Sequence, residues 1–212
     1  MWLNFTRTCR LLLVTTVLLS GCAVAPAPQQ GSAHPTRNNT VSQDTGVDVE
    51  PAFQAAIQHM QNEDWHAAAD QLQAITVQDP QLPGAWVNLG IAHVQLGDAT
   101  AAETDFQQAL ELDPQHAEAW NQLGMLYRRS NRLEDARAAW QEVLKYQPDH
   151  VNANWNLAVL HDRYLPDPAQ ALTHYTRYQQ LSGSTDPLLG QWIAALQQQL
   201  PEPVKLTAGV SK

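Results

Sequence analysis

Cysteine is nearly missing from this chain: of 212 residues only Cys9 and Cys22 carry a thiol. Two cysteines make neither a disulfide framework nor a four-ligand zinc cluster. Positive charge is also scarce, with 12 Lys and Arg against 21 Asp and Glu. Nucleic-acid binding depends on a basic surface that displaces phosphate counterions, so this balance argues against it. No glycine-rich phosphate loop occurs, no Ser/His/Asp grouping sits in a strand-turn-helix context, and the carboxylates are scattered. The chain is therefore not expected to be an enzyme, and no cofactor is expected. The longest apolar run, Leu11 to Leu19, is too short to cross the ~30 Å hydrocarbon core of a bilayer as a helix.

What is present begins with that run. It follows Arg7 and Arg10 and is succeeded by small residues, the three-part layout of a secretory signal peptide over residues 1–21. Its end, Leu19-Ser20-Gly21-Cys22, resembles the lipobox of bacterial lipoproteins. That resemblance implies cleavage before Cys22 and attachment of palmitate-type acyl chains there. With Ala and not Asp at position 23, it further implies an outer-membrane anchor facing the periplasm. An ordinary signal peptide cut elsewhere, leaving Cys22 as a free thiol, is the competing reading. Acyl burial is worth about 0.8 kcal/mol per CH₂, so two or three chains would hold the protein on a membrane where one would not. From Cys22 onward ten Lys and Arg face twenty-one Asp and Glu, leaving a net charge of −11.

Residues 22–48 are rich in Pro, Gln, Ser, Thr, Asn and Gly and hold almost no large apolar side chain. Such a segment cannot bury enough surface to offset the entropy of ordering it, and it reads as a disordered tether. Random-coil scaling gives it a reach of about 28 Å.

From Val49 the sequence repeats every 34 residues, in units 49–82, 83–116, 117–150 and 151–185. The second carries Trp86, Leu89, Gly90, His93, Gly97, Ala102, Phe106, Ala109 and Pro114. The third carries Trp120, Leu123, Gly124, Tyr127, Asn131, Ala136, Trp140, Val143 and Pro148 in step. Trp86, Leu89 and His93 share one helical face; Ala102, Phe106 and Ala109 form the stripe opposite it. Gly90 and Ala102 lack bulk where two helices must cross closely. Pro80, Pro114 and Pro148 stop helices at the unit ends, with Asp79, Asp113 and Asp149 beside them as turn-forming or capping groups. Glu63-Asp64, Asp98 and Glu134-Asp135 are expected at the starts of second helices, where negative charge suits the macrodipole.

These positions resemble the tetratricopeptide repeat (TPR), over roughly two thirds of the chain. The resemblance implies an all-α solenoid of helical hairpins, a right-handed superhelix. The outer units depart from the pattern: the first has Ala52, Ala55 and Ala56 in place of Trp, Leu and Gly, and the fourth needs one inserted residue near Leu165-Pro166-Asp167-Pro168. Terminal repeats are usually atypical because one side faces solvent. After Asp186-Pro187, the residues Leu189, Trp192, Ile193, Leu196 and Leu200 recur at helical spacing and predict a capping helix over 187–200, with a frayed tail over 201–212.

His59, His93 and His161 share one slot of the repeat, but the period puts them on different helices, so they are expected to pack inside hairpins and not to hold a metal. In the resembled family the first helix of each hairpin lines a concave groove. By register its positions fall on Phe53, Val87, Asn121 and Trp155, then on Ile57, Ile91, Met125 and Val159. One turn further come Met60, Val94, Arg128 and Asp162, with Arg129 and Arg163 beside them. This predicts an apolar channel with a basic patch at one end, suited to an amphipathic helix or extended peptide bearing an acidic group. Packing of part of the stripe between hairpins is the competing reading, with Phe53 and Trp155 expected to stay most open. Family members that clamp a C-terminal carboxylate use Lys and Asn where this chain has Phe53, Ile57, Glu118 and Gln122, so that activity does not carry over.

The resulting expectation is an adaptor or scaffold that captures a segment of an envelope protein, as pilotins of pilus secretins or organisers of cell-wall hydrolases do. It is expected to be monomeric without its partner. A structural homo-oligomer is the rival, and a carrier of a lipid or wall fragment a weaker one.

Overall fold

Short acidic side chains and proline mark six of the nine helix starts among the described residues. In the computed structural model, which describes residues 49–201, they open α1 (Glu50–Gln61), α2 (Trp65–Gln78), α3 (Pro83–Leu96) and α4 (Ala99–Leu112). After these come α5 (Ala117–Arg129), α6 (Leu133–Tyr146), α7 (Val151–Arg163), α8 (Pro168–Ser182) and α9 (Pro187–Gln199). Among the described residues there is no strand. The signal segment, Cys22, the tether and residues 202–212 lie outside the described residues.

Asp64 Oδ1 accepts from Ala67 N at 3.4 Å and Asp98 Oδ1 from Ala101 N at 3.0 Å, capping α2 and α4. Asp167 accepts from Ala169 and Gln170 N at the start of α8, and Asp186 from Leu188 N at the start of α9. Glu63 does not join the first turn of α2: it occupies a left-handed turn at φ 59°, as Gly97 and Asn131 do one and two periods later at 84° and 58°.

Helices pair as four hairpins, α1/α2, α3/α4, α5/α6 and α7/α8, and each hairpin stacks on the next through its neighbouring helices. The first helices α3 and α5 also touch, so first helices form an inner row. Inside a hairpin, glycine faces an aromatic ring. A methyl group added at Gly90 would lie 2.6 Å from Phe106 Cε1, and one at Gly124 2.6 Å from Trp140 Cε2. Phe106, Trp140 and Tyr175 are fully buried, as are Leu89, Leu123 and Leu157, and each such side chain contributes about 1.5–3 kcal/mol.

Between hairpins the repeating link is polar. Trp86 Nε1 donates to the carbonyl of Pro80 and Trp120 Nε1 to that of Pro114, both at 2.9 Å. In the fourth unit Asn154 stands in the tryptophan's place, and its Nδ2 donates to Pro148 O at 3.1 Å. One apolar core runs from α1 to α7. A second, separate cluster joins Trp155 and Ala158 to Ala171, Leu172 and Tyr175 and to Leu189, Ile193 and Leu196 of α9.

Candidate partner-binding face

Most of the apolar positions expected to line a groove are buried. Phe53 and Trp155, expected to be most open, are only 2% and 6% exposed, and Val87, Ile91, Met60 and Asn121 are buried as well. The cause is the closeness of neighbouring hairpins: Asn156 Nδ2 reaches across from α7 to donate to Asn121 Oδ1 at 3.2 Å. At the C-terminal end α9 covers the face. Trp192 lies 6.3 Å from the ring of Trp155 and 5.8 Å from that of Tyr175, and Tyr178 closes the cluster 4.9 Å from Trp155. Ile57, Val94 and Met125 remain half-buried beside the main core, and Val159 beside the second.

The basic end is accessible. Arg129 and Arg163 are exposed and Arg128 is half-buried. Arg128 Nη1 donates to Tyr164 Oη at 3.4 Å, with the guanidinium 5.8 Å from that ring. Arg163 pairs with Asp162 at 2.8 Å and lies 5.9 Å from the Trp192 ring. Guanidinium groups steadied on aromatic faces still present planar forks of N–H donors, the geometry that matches a carboxylate. The other cations of this half bind within the fold: Arg132 spans to Glu103 at 2.8 Å, Arg137 meets Glu134, Lys145 meets Glu142, and Arg177 meets Asp149. At the family's carboxylate-clamp positions Gln122 Nε2 donates instead to Glu118 Oε1 at 2.7 Å.

The histidines take three kinds of place. His59 and His93 face carboxylates, at 3.4 Å to Asp64 and 2.6 Å to Asp105. Burial pushes the Asp105 carboxyl up, against the lowering effect of its hydrogen bond to His93. His161 is buried and stacks on His174, with ring centroids 6.2 Å apart. His116 and His150, not singled out by the sequence, are the N-caps of α5 and α7: their Nδ1 atoms accept from Ala119 N at 3.3 Å and Ala153 N at 3.1 Å. Burial pushes both rings below the usual imidazole value. They line an open polar notch of about 460 Å³ together with Asp113, Glu118 and Gln147. Among the described residues no three His, Cys, Asp or Glu side chains gather as metal ligands, and no helix is long and apolar enough to cross a membrane.

Two family models described as tetratricopeptide repeat match residues 56–121 and 106–138. No curated protein matches. Among solved structures, pilF of Pseudomonas aeruginosa superposes with a TM-score of 0.62 at 19% identity, over 76% of this chain and 77% of that one. MamA from Desulfovibrio magneticus RS-1 gives 0.60 at 18% identity, over 78% of this chain and 89% of that one. The first tetratricopeptide domain of Spaghetti, bound to an HSP90 peptide, gives 0.52 at 22% identity over 55% and 94%. At these identities the likeness is one of fold. Residues 56–138 thus match tetratricopeptide-repeat models, and the described residues fold as a helical-hairpin solenoid with a ninth, capping helix.

Proposed function

We propose that this protein is a membrane-anchored adaptor of the bacterial envelope that binds an acidic peptide or the acidic end of an amphipathic helix from a partner protein. The observation that carries the proposal is the arginine end of the inner row. In a chain with a net charge of −9, Arg128 and Arg129 meet no carboxylate among the described residues, and Arg128 reaches Tyr164, the chain neighbour of Arg163. Val94 and Met125, half-buried on α3 and α5, are the apolar groove positions of the two central hairpins that keep some exposure, in place of the wide channel the register suggested. The structural relative with a bound HSP90 peptide supports peptide capture by this fold. The lipobox-like Leu19-Ser20-Gly21-Cys22 supports an anchor, and the tether behind it supports a working position off the membrane.

Partners are isolated from detergent-solubilised envelopes with the full chain and with an Arg128→Glu/Arg129→Glu variant. Loss of a stoichiometric partner with an unchanged circular-dichroism spectrum is expected. An identical partner set would defeat the reading. Replacing Cys22 by Ala is expected to move the protein to the soluble periplasmic fraction. Retention in membranes after alkaline wash would remove the anchor.

The second reading, a homo-oligomer, is favoured by α9, which carries no charged residue and leaves Leu188 43% exposed. Light scattering of the purified chain separates the two, a monomer being expected for the adaptor.

A further inference from the structure

Asp, Asn, Ser and Thr are the usual N-caps, and they keep their acceptor atoms at any ordinary pH. Histidine does not. A backbone N–H can only donate, so the hydrogen bonds from Ala119 N and Ala153 N require bare Nδ1 atoms on His116 and His150. Each ring must then be neutral, with its proton on Nε2. A proton added at Nδ1 would set a donor against a donor and a positive charge against the positive end of the helix.

The surroundings of these caps pull in two directions, and burial prevails. His116 faces Asp113 at the end of α4 and Glu118 on α5, and His150 stands across the notch. Asp113 favours the charged ring, but burial outweighs it. His150 faces the same notch carboxylates, while its neighbour Asp149 is engaged by Arg177 of α8.

His150 is also wired to a second proton-intolerant ring, that of His174. Asn154 Nδ2 donates to His150 O at 3.0 Å and to Pro148 O, which fixes its Oδ1 toward His174 Nδ1 at 3.2 Å. His174 therefore carries its proton on Nδ1 and stacks on His161, whose own buried Nδ1 has no hydrogen-bond partner. Burial first and His161 second push His174 down to about 4. In the first two hairpins His59 and His93 stand differently, since each faces a carboxylate, Asp64 and Asp105.

We propose that the last two hairpins are an acid-sensitive unit: when His116 and His150 take up protons, α5 and α7 lose their caps and α5–α8 loosen while α1–α4 hold. In a solenoid each hairpin contacts only its neighbours, so one half can open without the other. The proposal does not depend on what the arginine end binds, although α5 and α7 carry that end.

Segment-resolved hydrogen exchange on the full chain at pH 7.5 and 5.0, corrected for the intrinsic chemical rate, tests it. Protection in α5–α8 is expected to fall by about tenfold or more, and in α1–α4 by less than about threefold. The variant His116→Asn/His150→Asn, whose caps accept at both pH values, is expected to lose about threefold less protection in α5–α8 at pH 5.0 than wild type, or better, with the share due to His174 remaining. Equal loss in both halves, or equal acid loss in wild type and variant, overturns the proposal. Imidazole nitrogen shifts of the wild-type protein at pH 7.5 give an independent reading. Nε2–H tautomers at His116 and His150 are expected, and Nδ1–H tautomers would refute the caps.

Discussion

The first two hairpins and the last two keep the same 34-residue rhythm and differ in almost everything electrostatic. Residues 49–116 contain ten Asp and Glu and no Lys or Arg, whereas residues 117–201 contain eight Asp and Glu and seven Lys and Arg. The acidic half uses its carboxylates as caps and turn acceptors, as with Asp64, Asp79 and Asp98. In the mixed half carboxylates mostly meet arginine or lysine, and two helix starts are left to histidine. The contrast separates two demands on a repeat. The apolar slots decide whether hairpins form and stack. The remaining slots are free to give one end of the array a different partner preference and a different pH response.

The strongest way to probe the comparison is to overfill the equivalent glycine in each half. Gly124→Val drives a side chain into the Trp140 indole, which is tied by its Nε1 to the carbonyl of Asn121 and cannot shift without breaking that bond. Gly90→Val meets the Phe106 ring, which has no polar tie and can turn. Gly124→Val is expected to lower stability by about 3 kcal/mol and Gly90→Val by about 1 kcal/mol less, read from urea midpoints. Equal costs would mean that the indole bond does not anchor the third hairpin.

Acidification comes next in size. The rings of His116, His150 and His174 are held below the ordinary imidazole value of 6.5 in the folded chain. Their contribution is therefore fully present above about pH 6.5 and is lost as pH falls toward the folded values, which for His174 is about 4. At pH 5 His174 alone is expected to cost roughly 2 kcal/mol, with both caps adding in the same direction. The thermal midpoint should fall monotonically from pH 7 to pH 5, and a midpoint that rises over that range would reverse the assigned tautomers.

The sequence makes the repeat legible because Trp86 and Trp120, Gly90 and Gly124, and Phe106 and Trp140 occupy slots whose size the hairpin dictates. It makes the capping helix legible through Asp186-Pro187 and the spacing of Leu189, Ile193 and Leu196. The groove is less legible for a physical reason. Register assigns Phe53, Val87 and Trp155 to the inner face of a helix, but whether that face is open depends on how closely the neighbouring helix approaches, which periodicity does not encode. The Arg128 and Arg129 positions survive because long charged side chains at a helix C-terminus reach solvent under any spacing. The histidine caps escape a reading from residue type, since histidine is not a usual cap. The signal available was their recurrence, His116 and His150 lying one period apart just before two helices.

The smallest expected effect also sets one half against the other. After each of α1, α3 and α5 the chain turns through a left-handed residue and the next amide bonds back: Asp64 N to His59 O, Asp98 N to His93 O, and Arg132 N to Tyr127 O. This is the Schellman closure, and its left-handed slot favours glycine because a Cβ crowds the neighbouring carbonyl. Gly97 fits it, and Asn131 is among the residues that tolerate it. Glu63 is the poorest occupant, at φ 59° with no compensating side-chain bond recorded at the turn. Nothing lies within 4 Å of a Cβ built at Gly97, so the slot itself is uncrowded and the penalty at Glu63 is one of backbone conformation. Glu63→Gly should therefore raise stability, by about 0.5–1 kcal/mol after allowing for the greater freedom of glycine in the unfolded chain. Asn131→Gly should gain less. If Glu63→Gly lowers the urea midpoint while Asn131→Gly raises it, the first hairpin does not close through the same turn as the third, and the equivalence of the two halves fails at the turn as well as in charge.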